Sequence, residues 1–227
     1  WSNASPGALT AVQVQGPAVR FTLPKAETIA SDWQPMKAAI GSYVLPATLS
    51  YQTTPRLAAF AYLKAEVENA SALVFLAGSV QVFLDGAFVT TSSVDTIGPA
   101  EKFDLFLGTD ERIRVESKPL KAKIDVAILP GLHGRMKTID YEYLTTIENF
   151  RPSSAMITVL DQLPVAQHDE ITVTQLAMEP KATEVDEEKP GVFHWVLTVP
   201  SGGKETIRLV YRVRHPVDFV IDGLRAH

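Results

Sequence analysis

Cysteine is absent from all 227 residues. Its absence removes disulfides, thiolate nucleophiles and cysteine-ligated zinc together. Long apolar runs are missing too, and nothing approaches the ~18 consecutive residues of a membrane-spanning helix. Lysine and arginine form no run of five or more, and the net charge is −5. A nucleic-acid partner, which calls for a basic patch or stripe, is therefore not expected. Aromatic residues are sparse at 8%, so few side chains are available to stack on a sugar.

Chemical motifs are missing as well. There is no His-Glu-x-x-His, no calcium loop and no Gly-x-Ser-x-Gly elbow. The glycines of Pro200–Lys204 lack the spacing of a phosphate loop. Acidic neighbours such as Asp110-Glu111 and Asp186-Glu187-Glu188 read as solvated turn charges. The sequence thus implies no catalytic residue, no cofactor and no metal site.

What the chain does have is alternation with a period of two. In Glu205–Pro216, Ile207, Leu209, Tyr211 and Val213 share one face, while Arg208, Arg212 and Arg214 take the other. Val192–Val199 points Phe193, Trp195, Leu197 and Val199 inward. The turn residues of Pro200–Lys204 predict that these two runs form a hairpin. Two further runs place Ile113, Val115, Ile124, Val126 and Ile128 on a buried face, and Ser154–Asp161 and Asp169–Met178 add two more strands. Asp85-Gly86 lies between apolar runs, and a two-residue Asp-Gly corner favours positive φ at both positions. It predicts a hairpin with Phe83 opposite Phe88 and Val82 opposite Val89.

One stretch conflicts with the rest. Thr54-Pro55 opens like a helix, and strong helix formers follow. Yet Ala59, Ala61, Leu63, Ala65 and Val67 alternate, and the surroundings are all strand, so residues 57–68 are expected to be extended. There is also an internal echo. Glu68-Asn69 and Glu148-Asn149 each end a strand-like run before a loop and an apolar strand, and Asp85 answers to Asp161.

The chain begins without Met and carries Ser-Asn-Ala at positions 2–4, which reads as a cloning remnant from a piece of a longer protein. Residues 1–7 are expected to be a disordered tail, with a β half over 8–130 and a second over 131–227. Leu129–Arg135 is the hinge between them, and 179–191 is a charged loop. The expected fold is all-β, two packed antiparallel sandwich-like halves.

Three motifs carry a family resemblance: the Gly78–Gly86 hairpin, the Leu-Gly-x-Asp turn at Leu107–Asp110, and the Asp-x-x-Pro-Val turn at Asp161–Val165. Together they resemble the C-terminal domain of the mucoidy inhibitor A-like family, over roughly residues 20 to 216. The resemblance implies an all-β domain and supports strand over 57–68. It also implies an upstream small domain and coiled coil, an exported, envelope-associated setting, and no catalytic residues to carry over.

The expected function is a structural or protein-interaction module, whose partner is another protein or its own upstream coiled coil. The candidate binding surface comprises Trp33, His133 and the row Arg208, Arg212 and Arg214. A carbohydrate- or exopolysaccharide-binding module is the alternative, expecting Trp33 or Tyr43 to line a shallow groove. A hydrolase using His133 or His168 is the third reading. His168 lies in Gln-His-Asp-Glu, a polar-turn composition. His194 is expected on the outer face of its strand, beside the inward Trp195.

Overall fold

A computed structural model describes residues 12–15, 18–21, 40–120, 123–128 and 135–221. Trp33, His133 and the expected division near residue 130 lie outside the described residues. The described residues form fourteen strands and no helix: β1 (Val12–Gln15), β2 (Ala18–Phe21), β3 (Ala47–Thr53), β4 (Phe60–Glu68), β5 (Gly78–Leu84), β6 (Ala87–Val94), β7 (Lys102–Pro119), β8 (Lys123–Ile128), β9 (Arg135–Asn149), β10 (Ala155–Gln162), β11 (Thr172–Glu179), β12 (Glu184–Val185), β13 (Val192–Val199) and β14 (Lys204–Pro216). The chain is all-β. β1 pairs with β2 and β5 with β6 as two-stranded sheets. The others form one ten-stranded sheet in the order β11-β14-β9-β7-β4-β3-β10-β13-β12, with β8 beside β9.

The stretch after Thr54 shows how the competing signals resolve. Leu57 and Ala58 each donate a backbone N–H to the Thr54 carbonyl, so the helix-start residues make a single turn. β4 then buries every second residue from Ala61 to Val67. The alternation decides the outcome because its apolar face is covered by neighbouring strands, which outweighs local propensity. At the hairpin corner Asp85 and Gly86 take φ values of 50° and 82°, the left-handed pair a two-residue turn needs. Phe83 and Phe88 meet edge to face at 5.6 Å.

The chain divides into two compact units whose segments interleave in sequence. The first takes in Glu66–Val80, Thr91–Leu105 and the chain up to Thr48. It buries Val67, Leu73 and Ile97 around the side chain of Asn69. The second is Leu49–Ala65, Gln81–Thr90 and Phe106–His227. Its core gathers Ile139, Tyr141 and Ile147 of β9, Ile207 to Val213 of β14, Ile157 and Val159 of β10, and Trp195 and Val199 of β13. β13 packs against β9 and β14 without sharing a ladder with either, so this core is sandwiched between strands of one sheet. β10 runs parallel to β3, whereas its pairing with β13 is antiparallel.

Two expectations change. β13 and β14 are not a hairpin. β13 lies between β10 and β12, and β14 between β9 and β11. The reason is Asn149, which is fully buried. Its Nδ2 donates to the carbonyls of Val199, Pro200 and Ser153, while its backbone exchanges hydrogen bonds with Gly202 and Gly203. The turn is thereby tied to β9, and the chain crosses from one layer to the other. The second change concerns β8. Ile124 and Val126 are exposed rather than buried, because β8 lies at an edge with β9 as its sole neighbour among the described strands.

The internal echo has a structural basis at its Glu-Asn pairs. Asn69 is also fully buried, and its Nδ2 donates to the carbonyls of Leu73, Ile97 and Gly98. Its backbone bonds to Ala100 and Glu101, as that of Asn149 does to Gly202 and Gly203. Phe75 bridges Ile97 just as Ala155 pairs with Val199. Ala100 and Gly202 share a left-handed φ, 61° and 67°. Asp85 and Asp161 are not equivalent: Asp85 heads an exposed turn, whereas Asp161 is buried in an ion pair.

Candidate functional site

The parallel pairing of β3 and β10 sets up the most unusual constellation in the second unit. Tyr51 stands opposite Ile157 and Thr53 opposite Val159, and both strands run towards the same end. The turn beyond β3 therefore delivers Arg56 beside Asp161, near the end of β10. Asp161 occupies the inward parity of its strand, following the buried Ala155, Ile157 and Val159. A carboxylate there needs a partner. Arg56 Nε donates to Asp161 Oδ1 at 2.5 Å, and Arg56 also donates to the Gln162 carbonyl. Asp161 Oδ1 further accepts the Gln162 N–H at 2.7 Å.

Aromatic rings floor this pair. The guanidinium of Arg56 lies 5.0 Å from the ring centre of Tyr143. Tyr143 stacks on Tyr211 at 6.1 Å, and Tyr211 on Tyr141 at 5.2 Å. Burial raises the pKa of Asp161, with Arg56 pulling the other way. Burial opposes the charge of Arg56, but Asp161 outweighs it and holds the guanidinium protonated. Burial, then Tyr143, pushes the Tyr211 phenol upward. The group is a buried ion pair set on a stack of three tyrosine rings.

Arg56 and Gln162 form a partition between two grooves. One, of about 450 Å³, is apolar, with Leu163, Val165, Ile171, Val173, Val213 and Val220 among its walls. The other, of about 400 Å³, includes Leu57, Leu160, Asp186, Lys189 and His194. His194 is half-buried, and its Nε2 is shielded from solvent with no hydrogen-bond partner. It keeps the face expected from alternation, opposite the buried Phe193 and Trp195, but lines the second groove there instead of standing free in solvent. Concave, mostly apolar walls with a few fixed polar groups are the make-up of a binding site for a largely apolar ligand.

A second cluster surrounds Asp110. Its carboxylate accepts the Tyr51 hydroxyl at 2.8 Å and both Nε and Nη2 of Arg112 at 2.9 Å. Arg151 Nε stands 3.4 Å away, its guanidinium over the Tyr51 ring. Hydrogen bonds from Arg112 lower the Asp110 pKa to about 2. Burial and the bond to Asp110 raise Tyr51 to about 12. One carboxylate thus faces two guanidiniums, and Arg151 Nε is shielded from solvent without a hydrogen-bond partner.

Two arginines of the row are matched in charge. Arg212 forks onto Asp140, directly across the ladder from it, at 2.7 and 2.9 Å. Arg208 binds Glu142 at 2.6 Å and approaches Glu179 at 3.7 Å. Arg214 is half-buried and lines a small polar groove of about 210 Å³ with Lys123 and Asp125. His168 is exposed, its Nδ1 accepting the Glu170 N–H in a turn closed from Ile171 to the His168 carbonyl. Its ring meets Phe219 edge-on. Tyr43 is half-buried and faces the Phe75 ring at 6.4 Å. Among the described residues there is no cluster of His, Asp and Glu that could hold a metal ion. Likewise, no helix among them is long and apolar enough to cross a membrane.

Sequence reasoning missed Arg56 and took Asp161 for a turn residue. The signal was present in the parity of the strand, which places Asp161 on the apolar face. Its partner was not legible, because the two residues lie over 100 positions apart and meet only through the parallel β3–β10 pairing.

The fold and these sites define an all-β domain most of whose buried polar groups bond within its own framework and whose two grooves beside Arg56 are largely apolar. The chain matches DUF4139, a domain of unknown function, over residues 4–217, and it belongs to that family. It is 29% identical over 217 residues to Protein F37C4.5 of Caenorhabditis elegans, covering 91% of this chain. The chain spans 38% of the length of that curated relative. No solved structure matches it.

Proposed function

We propose that this chain is a non-catalytic protein-interaction module of a longer, mucoidy inhibitor A-like protein. Its apolar groove beside Arg56 receives a segment of the same long polypeptide. One observation carries this reading: a groove of about 450 Å³ is walled by Leu163, Val165, Val213 and Val220 and bounded by a cation already paired with Asp161. Such a surface gains from covering apolar area and offers little to a charged substrate. The length of the worm relative supports an intramolecular occupant, since most of that protein lies outside the matched segment. A relative in an animal favours protein interaction over a role confined to bacterial exopolysaccharide. The mucoidy inhibitor A-like resemblance supports an envelope-associated setting in bacteria.

The test uses the full-length protein with a photo-crosslinking residue in place of Val165. The expected product is an internal crosslink mapping outside residues 1–227. Attachment to a separate protein, or no crosslink, defeats the intramolecular occupant. Substrate turnover lost on His194→Ala or Asp161→Asn overturns the non-catalytic reading.

A further inference from the structure

β8 is an edge strand among the described residues. It pairs with β9 through Lys123↔Asp140, Ile124↔Ile139 and onward to Ile128↔Arg135, and no other described strand flanks it. Every side chain from Lys123 to Ala127 is exposed, with Ile124 at 53% and Val126 at 40%. Natural sheets blunt such edges with charged side chains, proline or bulges. β8 contains no proline, and its lysine stands two residues from an aspartate on the same face.

That spacing makes the strand complementary to itself. We propose that β8 pairs antiparallel with β8 of a second copy about a two-fold axis at Ile124. In this register each Lys123 faces the copy's Asp125, and the two Ile124 side chains meet. The pairing continues a charge order already present in one chain. Arg212 binds Asp140, and Asp140 lies opposite Lys123. The copy's Asp125 comes next, followed by its Thr138 and Arg214, and the two-fold axis repeats the row in reverse. On the other face, Ile124 beside Ile139 extends onto the copy's Ile124. This is an isologous interface, in which one patch serves both sides. It is independent of the groove beside Arg56.

The cysteine-free chain permits a clean test. Across an antiparallel pair, opposed Cα atoms stand about 4.5 to 5.5 Å apart, within the reach of a disulfide. Ile124→Cys is expected to give a disulfide dimer under mild oxidation. Val126→Cys is expected to give little, because four residues of offset place the two thiols roughly 14 Å apart. Charge reversal supplies a second arm, read as solution mass by light scattering. Lys123→Asp and Asp125→Lys each set like charges face to face, so each alone is expected to weaken the dimer at least tenfold. An equimolar mixture of the two variants restores opposite charges at both contacts and is expected to return to dimer mass. A monomer at every concentration overturns the proposal. So does crosslinking through Val126→Cys as readily as through Ile124→Cys, or a mixture no more associated than its components.

Discussion

At the scale of single residues, the polar groups that matter are those pointing inward. Asp161 and Arg56 illustrate the asymmetry of buried charge: removing one partner strands the other. Asp161→Ala is expected to cost about 3–5 kcal/mol, whereas Arg56→Leu with Asp161→Leu should lie much closer to the parent. Urea denaturation of the three proteins decides it, and equal losses for single and double variants would count against a buried pair. Asp110 and Tyr51 act through pH. The folded pKa of Asp110 is lowered to about 2, so its stabilising effect is complete above the ordinary carboxylate range, near ~4, and disappears as pH falls towards 2. Tyr51 is raised to about 12, so its effect is complete below the ordinary tyrosine range, near ~10, and disappears as pH rises towards 12. Asp110→Asn should flatten the acid limb of the melting temperature against pH, and Tyr51→Phe the alkaline limb. An unchanged acid slope in Asp110→Asn would show that other carboxylates govern it.

At the scale of elements, two turns rest on the same device. Asn69 and Asn149 each spend their amide on three carbonyls, and each fixes a residue in the left-handed region two positions after the last of them: Ala100 and Gly202. Glycine adopts that conformation freely, and alanine does so at a cost. Nothing crowds a Cβ at Gly202, so the conformation alone sets the effect there. Gly202→Ala should destabilise by about 1 kcal/mol and Ala100→Gly should stabilise by less, since glycine also gains unfolded-state entropy. Thermal melts of both variants measure the difference, and matching signs would refute the shared conformation. These turns also show what the sequence conveys. Parity of side chains revealed β4 to β8, β10, β11, β13 and β14 and the Asp85-Gly86 corner, because those depend on neighbours two residues away, but it gave no sign of β1, β2, β3 or β12. It misassigned the passage from β13 to β14, where Pro-Ser-Gly-Gly suits a hairpin equally well. The deciding contacts come from Asn149, some fifty positions earlier. The grooves beside Arg56 were illegible for the same reason, while the inward aspartate was a legible warning of an unseen partner.

At the scale of the whole molecule, resistance to opening should follow how completely each strand is flanked. β9 pairs with β14 along thirteen consecutive residue pairs, Met136↔Pro216 to Glu148↔Lys204, and with β7 and β8 on its other side. Ile207, Leu209, Tyr211 and Val213 of β14 are all at most 2% exposed. The β5–β6 ribbon has no third strand among the described residues, and Phe83, Leu84 and Phe88 near its corner are exposed. Amides exchange through the least costly opening that frees them. Those of β9 and β14 should therefore exchange only with global unfolding, showing the full denaturant dependence of the equilibrium transition. Amides near the Asp85-Gly86 corner should exchange through a local opening with almost none. β8, paired on one side alone among the described strands, should fall between these limits in the monomer and gain protection as concentration rises and the second copy covers its outer edge. Native-state hydrogen exchange at two protein concentrations separates the contributions: protection in β5–β6 should stay constant, while that in β8 climbs. If β8 remains equally labile at both concentrations while β9 is protected, the edge is an uncovered end of the sheet and the molecule works as a single chain.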